Sequence, residues 1–146
     1  MSNGQFWNSA VAPSLADFER LAAEAFYRLP PEFRCLAKDL LIRIEDFATE
    51  EDLDDLGIES PFELLGLYRG VSLAHKSVMD APREPDMVFL FRRAILDIWG
   101  EGEETLGDLI THVLVHEIGH HFGLSDDDME AIEAGATGTT DRDAGV

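Results

Sequence analysis

Apolar residues recur along this chain at two intervals, and the changes between them divide it into elements. Leu15, Phe18, Leu21, Ala22, Ala25, Phe26 and Leu29 stand mostly three or four apart, which places them on one face of a helix. Ser14 and Asp17 have capping-box spacing just before them. A first helix is predicted over about 14–29, ended by Pro30-Pro31, with a short helical turn around Glu32 to Lys38. The pattern then alternates, Ile42 and Ile44 apolar against Arg43 and Glu45, so a half-buried strand is predicted over about 40–47. LLGLYRG, residues 64–70, and MVFLFR, residues 87–92, are short, apolar and aromatic-bearing. They read as a second and a third strand, paired across a long hairpin whose connection holds His75 and the turn residues Ala81-Pro82.

Helical spacing returns with Ile95, Leu96, Ile98 and Trp99, a turn or two before the polar break from Gly100 to Glu104. Thr105 and Asp108 again have capping-box spacing. They open a helix that carries Leu106, Leu109, Ile110, Val113, Leu114, Val115 and Ile118 on most of its sides, so it is expected to be largely buried. Gly123 ends it, and Ser125 caps a further helix through Met129, Ala131 and Ile132. Residues 1–13 show no period and are expected to be a loose end, as is the Gly- and Thr-rich tail from Gly135 to Val146. The acidic run from Glu45 to Glu59, with Asp52, Asp54 and Asp55, reads as a solvated loop or frayed helix because nothing fixes a ligand spacing in it. No internal repeat is present.

With 146 residues and 45% hydrophobic content, residues 1–146 are expected to make one domain with its own core. A net charge of -19 and a pI near 4.3 argue against nucleic acid and anionic membrane as partners, since both need a basic surface. The lone cysteine, Cys35, allows no intramolecular disulfide and fits a reducing compartment. Its neighbours Phe33, Leu36 and Leu40 predict a buried structural thiol. The N-terminus lacks a basic segment followed by an apolar core, and no run of about 18 apolar residues could span a bilayer. The expectation is a soluble cytoplasmic protein.

The chemistry lies in TLGDLITHVLVHEIGHHFGLSD, residues 105–126. His116 and His120 are four apart, so on a helix they share a face about 6 Å apart along the axis. Each can point one imidazole nitrogen at a common ion. Zinc takes such nitrogens at roughly 2.0–2.1 Å, and catalytic zinc usually has three protein ligands and one position for water. Glu117 stands beside this pair, suited to take a proton from metal-bound water rather than to bind the metal. The third ligand must come from elsewhere, and Gly123 lets the chain reverse and bring a residue just beyond it back towards His120. Asp126 is so placed, at the first position of the next helix, while Glu130 and Glu133 are fallback ligands from the same helix.

His-Glu-x-x-His should arise by chance in roughly one such chain in a hundred. Adding Gly123 and Asp126 at fixed offsets lowers that to about one in tens of thousands, so the extended pattern is the specific signal. His112, about 12 Å from His120 along the axis, cannot join both other histidines around one ion. It is expected to support them or to fill an ordinary buried polar role. His121 points about 100° away from His120 and is read as structural or exposed.

HEIGHHFGLSDDDM, with LLGLYRG and EPDMVFLFRRAI before it, resembles a family of small, acidic bacterial zinc metallopeptidases, the mini-zincins that carry aspartate in place of the usual third histidine. The resemblance spans roughly residues 15–133 and implies an α+β, minimal zincin-like fold: a small, about three-stranded sheet packed with an active-site helix and flanking helices. It implies His116, His120 and Asp126 as zinc ligands, Glu117 as general base, and a peptide or protein substrate. In larger zincins an edge strand binds peptide as an added strand, and residues 87–92 are expected to take that part. Tyr68, Arg69 and His75 are candidates for holding the oxyanion. A zinc peptidase is the leading expectation. The alternatives are a non-catalytic, zinc-stabilised protein-binding module and a metal-free structural domain, and a carboxylate ligand also suits manganese or iron.

Overall fold

The structure is a computed structural model that describes residues 3–70 and 85–136. Strands β1 (Leu41–Glu45), β2 (Gly66–Arg69) and β3 (Met87–Phe91) form one sheet in the order β1-β3-β2. β3 runs parallel to β1, with Leu41 opposite Met87 and Glu45 opposite Phe91. It runs antiparallel to β2, with Gly66 opposite Leu90 and Arg69 opposite Met87, which is the hairpin pairing expected of the two strands. β1 alternates exposed and half-buried residues, as its sequence predicts.

The strand expected at the edge is the middle one. Met87–Phe91 is apolar at every position, which suits a strand covered on both faces and flanked on both sides, and Val88 and Leu90 are fully buried. Among the described residues β1 and β2 hold the edges.

The described helices are α1 (Asn3–Ser9), α2 (Leu15–Tyr27), α3 (Pro31–Leu36), α4 (Glu50–Leu56), α5 (Arg92–Glu101), α6 (Leu106–His121) and α7 (Asp126–Ala136), and α2, α5 and α6 pack on the sheet. A 3-10 turn, Pro61–Glu63, precedes β2. α2 starts where its capping box predicts: Ser14 Oγ accepts from the Asp17 N–H at 3.0 Å, and the Asp17 carboxylate accepts from the Ser14 N–H at 2.9 Å. α6 packs against α2, the sheet, α5 and α7. Phe18, Leu29, Val88, Leu90, Ile95, Ile110, Leu114, Ile118 and Met129 are at most 1% exposed and form one contiguous core. Each such side chain is worth about 1.5–3 kcal/mol of burial.

Several local expectations change. Residues 3–9, without a readable period, form α1, where Phe6 and Trp7 are 52% and 67% exposed, so no buried stripe existed to be read. Part of the acidic run forms α4, capped by Thr49, closed by Gly57 at φ 70°, and held by buried Leu53. α5 is longer than a turn or two and continues through Glu101, into the expected break. Cys35 is exposed: on the short α3 it is Phe33 that turns inward, so sequence neighbours do not enclose the thiol. His75, Ala81-Pro82 and most of the C-terminal tail lie outside the described residues.

Candidate metal centre

α6 begins at Thr105, whose Oγ1 accepts from the Asp108 N–H at 3.1 Å, and ends in the reversal that Gly123 predicts. Gly123 has φ +75°. The Leu124 N–H donates to the Gly119 carbonyl at 2.9 Å, and the Gly123 N–H to the His120 carbonyl at 3.2 Å. This pair of bonds is a Schellman closure, which satisfies carbonyls the helix would otherwise orphan. Ser125 then caps α7, with a reciprocal Ser125–Asp128 pair at 3.1 and 3.3 Å. Asp126 occupies the first helical position, as expected.

The two helices pack closely because of Gly119. A Cβ there would meet Met129 Cγ at 2.9 Å and collide with its Sδ. Met129 is fully buried, so α7 lies against the α6 backbone and carries its acids across the histidine face.

Glu133, two turns into α7, bridges two of those histidines. Its Oε1 is 2.7 Å from His112 Nδ1 and its Oε2 is 3.2 Å from His116 Nε2. The ligand atoms of His112, His116 and Glu133 all lie within 4.8 Å of one another, and theirs is the group among the described residues whose donors so converge. Four ligands about 2.0–2.1 Å from a tetrahedral ion stand about 3.4 Å apart, so small side-chain rotations would bring these three onto one ion. The donor set fits a zinc-like dication. No comparable group forms among Asp52, Asp54 and Asp55, where Asp52 pairs with Arg69 instead.

His116 and Asp126 line one cavity of ≈ 600 Å³, together with His112, Glu133 and three further acids, Glu104, Asp108 and Glu130. His120 is exposed, its ring 5.6 Å from that of His116 and nearly perpendicular to it. A larger cavity of ≈ 740 Å³, between Phe47 and Pro61, has no imidazole among its described lining residues and offers no such chemistry there. His112 is not buried: its side chain is 46% exposed, and its ring centroid lies 4.1 Å from that of His116, one turn along the same side of α6. The signal that could have found it is its spacing, since His112 precedes His116 by the same four residues that separate His116 from His120.

Glu117 faces the other way around the helix, towards β2. Burial pushes its carboxyl up from the usual range, while the nearby His120 and a hydrogen bond from the Tyr68 backbone N–H pull in the opposite direction. β2 comes this close because of Gly66, where a Cβ would meet Val113 Cγ1 at 2.8 Å and Glu117 Cγ at 3.1 Å.

The family model described as zincin-like metallopeptidase matches residues 37–136, about two thirds of the chain. The chain belongs to this family. No curated protein matches it. Membership accords with what is described above: a small α+β, zincin-like fold in which the helix bearing His-Glu-x-x-His lies against a three-stranded sheet. In this zincin-like chain His121 is structural, as one of its two expected roles: its ring stacks on Tyr68 at 3.8 Å and 12°. The Tyr68 hydroxyl donates to Asp86 at 2.9 Å, and burial together with that acceptor pushes the phenol well above its ordinary range. Arg69 pairs with Asp52 and lies over the Phe89 ring at 5.2 Å. Of the three oxyanion candidates, the two described ones are thus engaged elsewhere. No helix among the described residues is long and apolar enough to cross a membrane.

Proposed function

We propose that this zincin-like chain is a zinc-dependent peptidase in which His116, His120 and Asp126 hold the ion and Glu117 is the general base. The observation that carries this reading is the setting of Glu117: a carboxylate near His120 on α6, raised in pKa by burial and held by the N–H of edge strand β2. A bound zinc ion supplies Lewis acidity towards a scissile carbonyl and towards water. Glu117 accepts the proton of the attacking water and returns it to the leaving amine nitrogen, a transfer that a raised carboxyl pKa favours near neutral pH. β2, at the sheet edge beside that carboxylate, is where an extended peptide would add as a further strand. The Tyr68–His121 stack keeps this strand against the end of α6, and the Tyr68–Asp86 hydrogen bond ties it to the start of β3.

Glu117→Gln keeps the shape and removes the base. It is expected to retain zinc and to lose at least about a hundredfold in cleavage of a peptide library, the lower range for removal of a general base. Equal cleavage by the variant would refute the mechanism.

One observation favours a second reading, a zinc-stabilised binding module without turnover: Tyr68 and Arg69, which could have faced an oxyanion, are turned to Asp86 and Asp52. Stoichiometric zinc, a large fall in melting temperature on chelation and no cleavage across a broad peptide panel would select it.

A further inference from the structure

The His112–Glu133–His116 bridge is more than the peptidase reading requires. That reading asks for His116, His120 and a carboxylate, and His112 has no place in it. The bridge nonetheless gathers two imidazole nitrogens and a carboxylate in a cavity whose walls, among the described residues, carry five acids and no lysine or arginine. The Glu133 side chain is 17% exposed, and a carboxylate withdrawn this far from water needs compensating positive charge or well-formed donors. Within these walls it can come from an imidazolium or from a bound cation.

We propose that His112, His116 and Glu133 form a second seat for a divalent cation, one helical turn from the position defined by His116 and His120 and sharing His116 with it. Imidazole nitrogens with one carboxylate oxygen suit the borderline dications, zinc, cobalt and nickel among them, better than magnesium or calcium, which take oxygen ligands. The surrounding acids, Glu104, Asp108, Asp126 and Glu130, raise the local concentration of any cation without needing to touch it. His112 stands at the open end of the histidine row, 46% exposed, and His116 is 25% exposed, so an ion from solvent reaches this seat directly. The His116 Nε2 that faces Glu133 at 3.2 Å has one lone pair for one ion. The two seats therefore compete for that nitrogen, and a single ion passes between them by exchanging His112 and Glu133 for His120 and its carboxylate.

The test is binding of cobalt(II) or zinc alone, without peptide, to the full chain by calorimetry and visible absorption. His112 and His120 are both exposed, so their alanine variants remove no core contact, and circular dichroism of the metal-free proteins checks their folding. His120→Ala is expected to keep binding one ion through the second seat, with altered cobalt absorption. Combining it with His112→Ala or with Glu133→Gln should weaken that binding at least tenfold. If His120→Ala binds no more tightly than either double variant, the bridge is a hydrogen-bonded pair and the second seat does not exist. No turnover enters the readout, so a chain that cleaves nothing would overturn the peptidase reading and leave this one standing.

Discussion

Along α6, Ile110, Leu114 and Ile118 keep the same four-residue spacing as His112, His116 and His120, and the two rows run about 160° apart around the helix. The isoleucines and the leucine are wholly buried in the core made with α2, the sheet and α7. The His112 and His116 side chains stay 46% and 25% exposed, and their carboxylate partner comes from α7. One row is placed by the removal of apolar surface from water, a non-directional force that tolerates no gap. The other is placed by a neighbouring helix whose approach depends on two glycines, Gly119 at the contact and Gly123 at the reversal. The fold can therefore hold α6 rigid while the chemistry on its far side is set by how α7 docks.

The contrast is tested most strongly by Leu114→Ala, which should cost about 2–5 kcal/mol in urea unfolding. His120→Ala in metal-free protein should stay within about 0.5 kcal/mol. Similar losses for both would mean that the two rows do not differ as described.

Gly119→Ala tests the hinge between the rows. The added methyl meets buried Met129, so a loss of about 1–3 kcal/mol is expected from overpacking. Cation affinity should fall with it as Glu133 and Asp126 move away from His116. Unchanged affinity in a destabilised variant would show that α7 does not position the ligands.

The smallest effect is expected at Glu117. Its pKa is raised in the folded chain, chiefly by burial, so its protonated form favours folding. That contribution is complete below the unfolded value and is lost as pH rises through the folded one. In metal-free protein Glu117→Gln, which stays neutral, should therefore melt slightly higher than the parent at pH 7, with the gain disappearing below about pH 4. Melting curves across that range that show the parent more stable at neutral pH would contradict a burial-raised carboxyl.

The elements around the site were legible where a local pattern had a single outcome. The three strands, α2 with its Ser14–Asp17 box, α6 from its apolar spacing, and the reversal through Gly123 and Ser125 all follow from short-range sterics and burial. Legibility failed where the deciding contact was distant in sequence. The apolar run at 87–91 suits a flanked strand but does not name β1 and β2 as its neighbours, and Cys35 reads as buried until α3 turns Phe33 inward. Tyr68 was singled out as a possible oxyanion donor, but its place is set by Asp86, 18 residues away.

By itself the sequence determined that two imidazoles and Glu117 would share one buried helix, because the residues of a helix have fixed angular positions, and that acids would follow a tight reversal, because Gly123 permits it. Which of the five acids on α7 meets an imidazole was decided by tertiary structure alone. Met129 seats against Gly119 and thereby fixes the crossing of two helices, and that crossing brings Glu133 between His112 and His116. Packing sets such a crossing through contacts that no local spacing encodes.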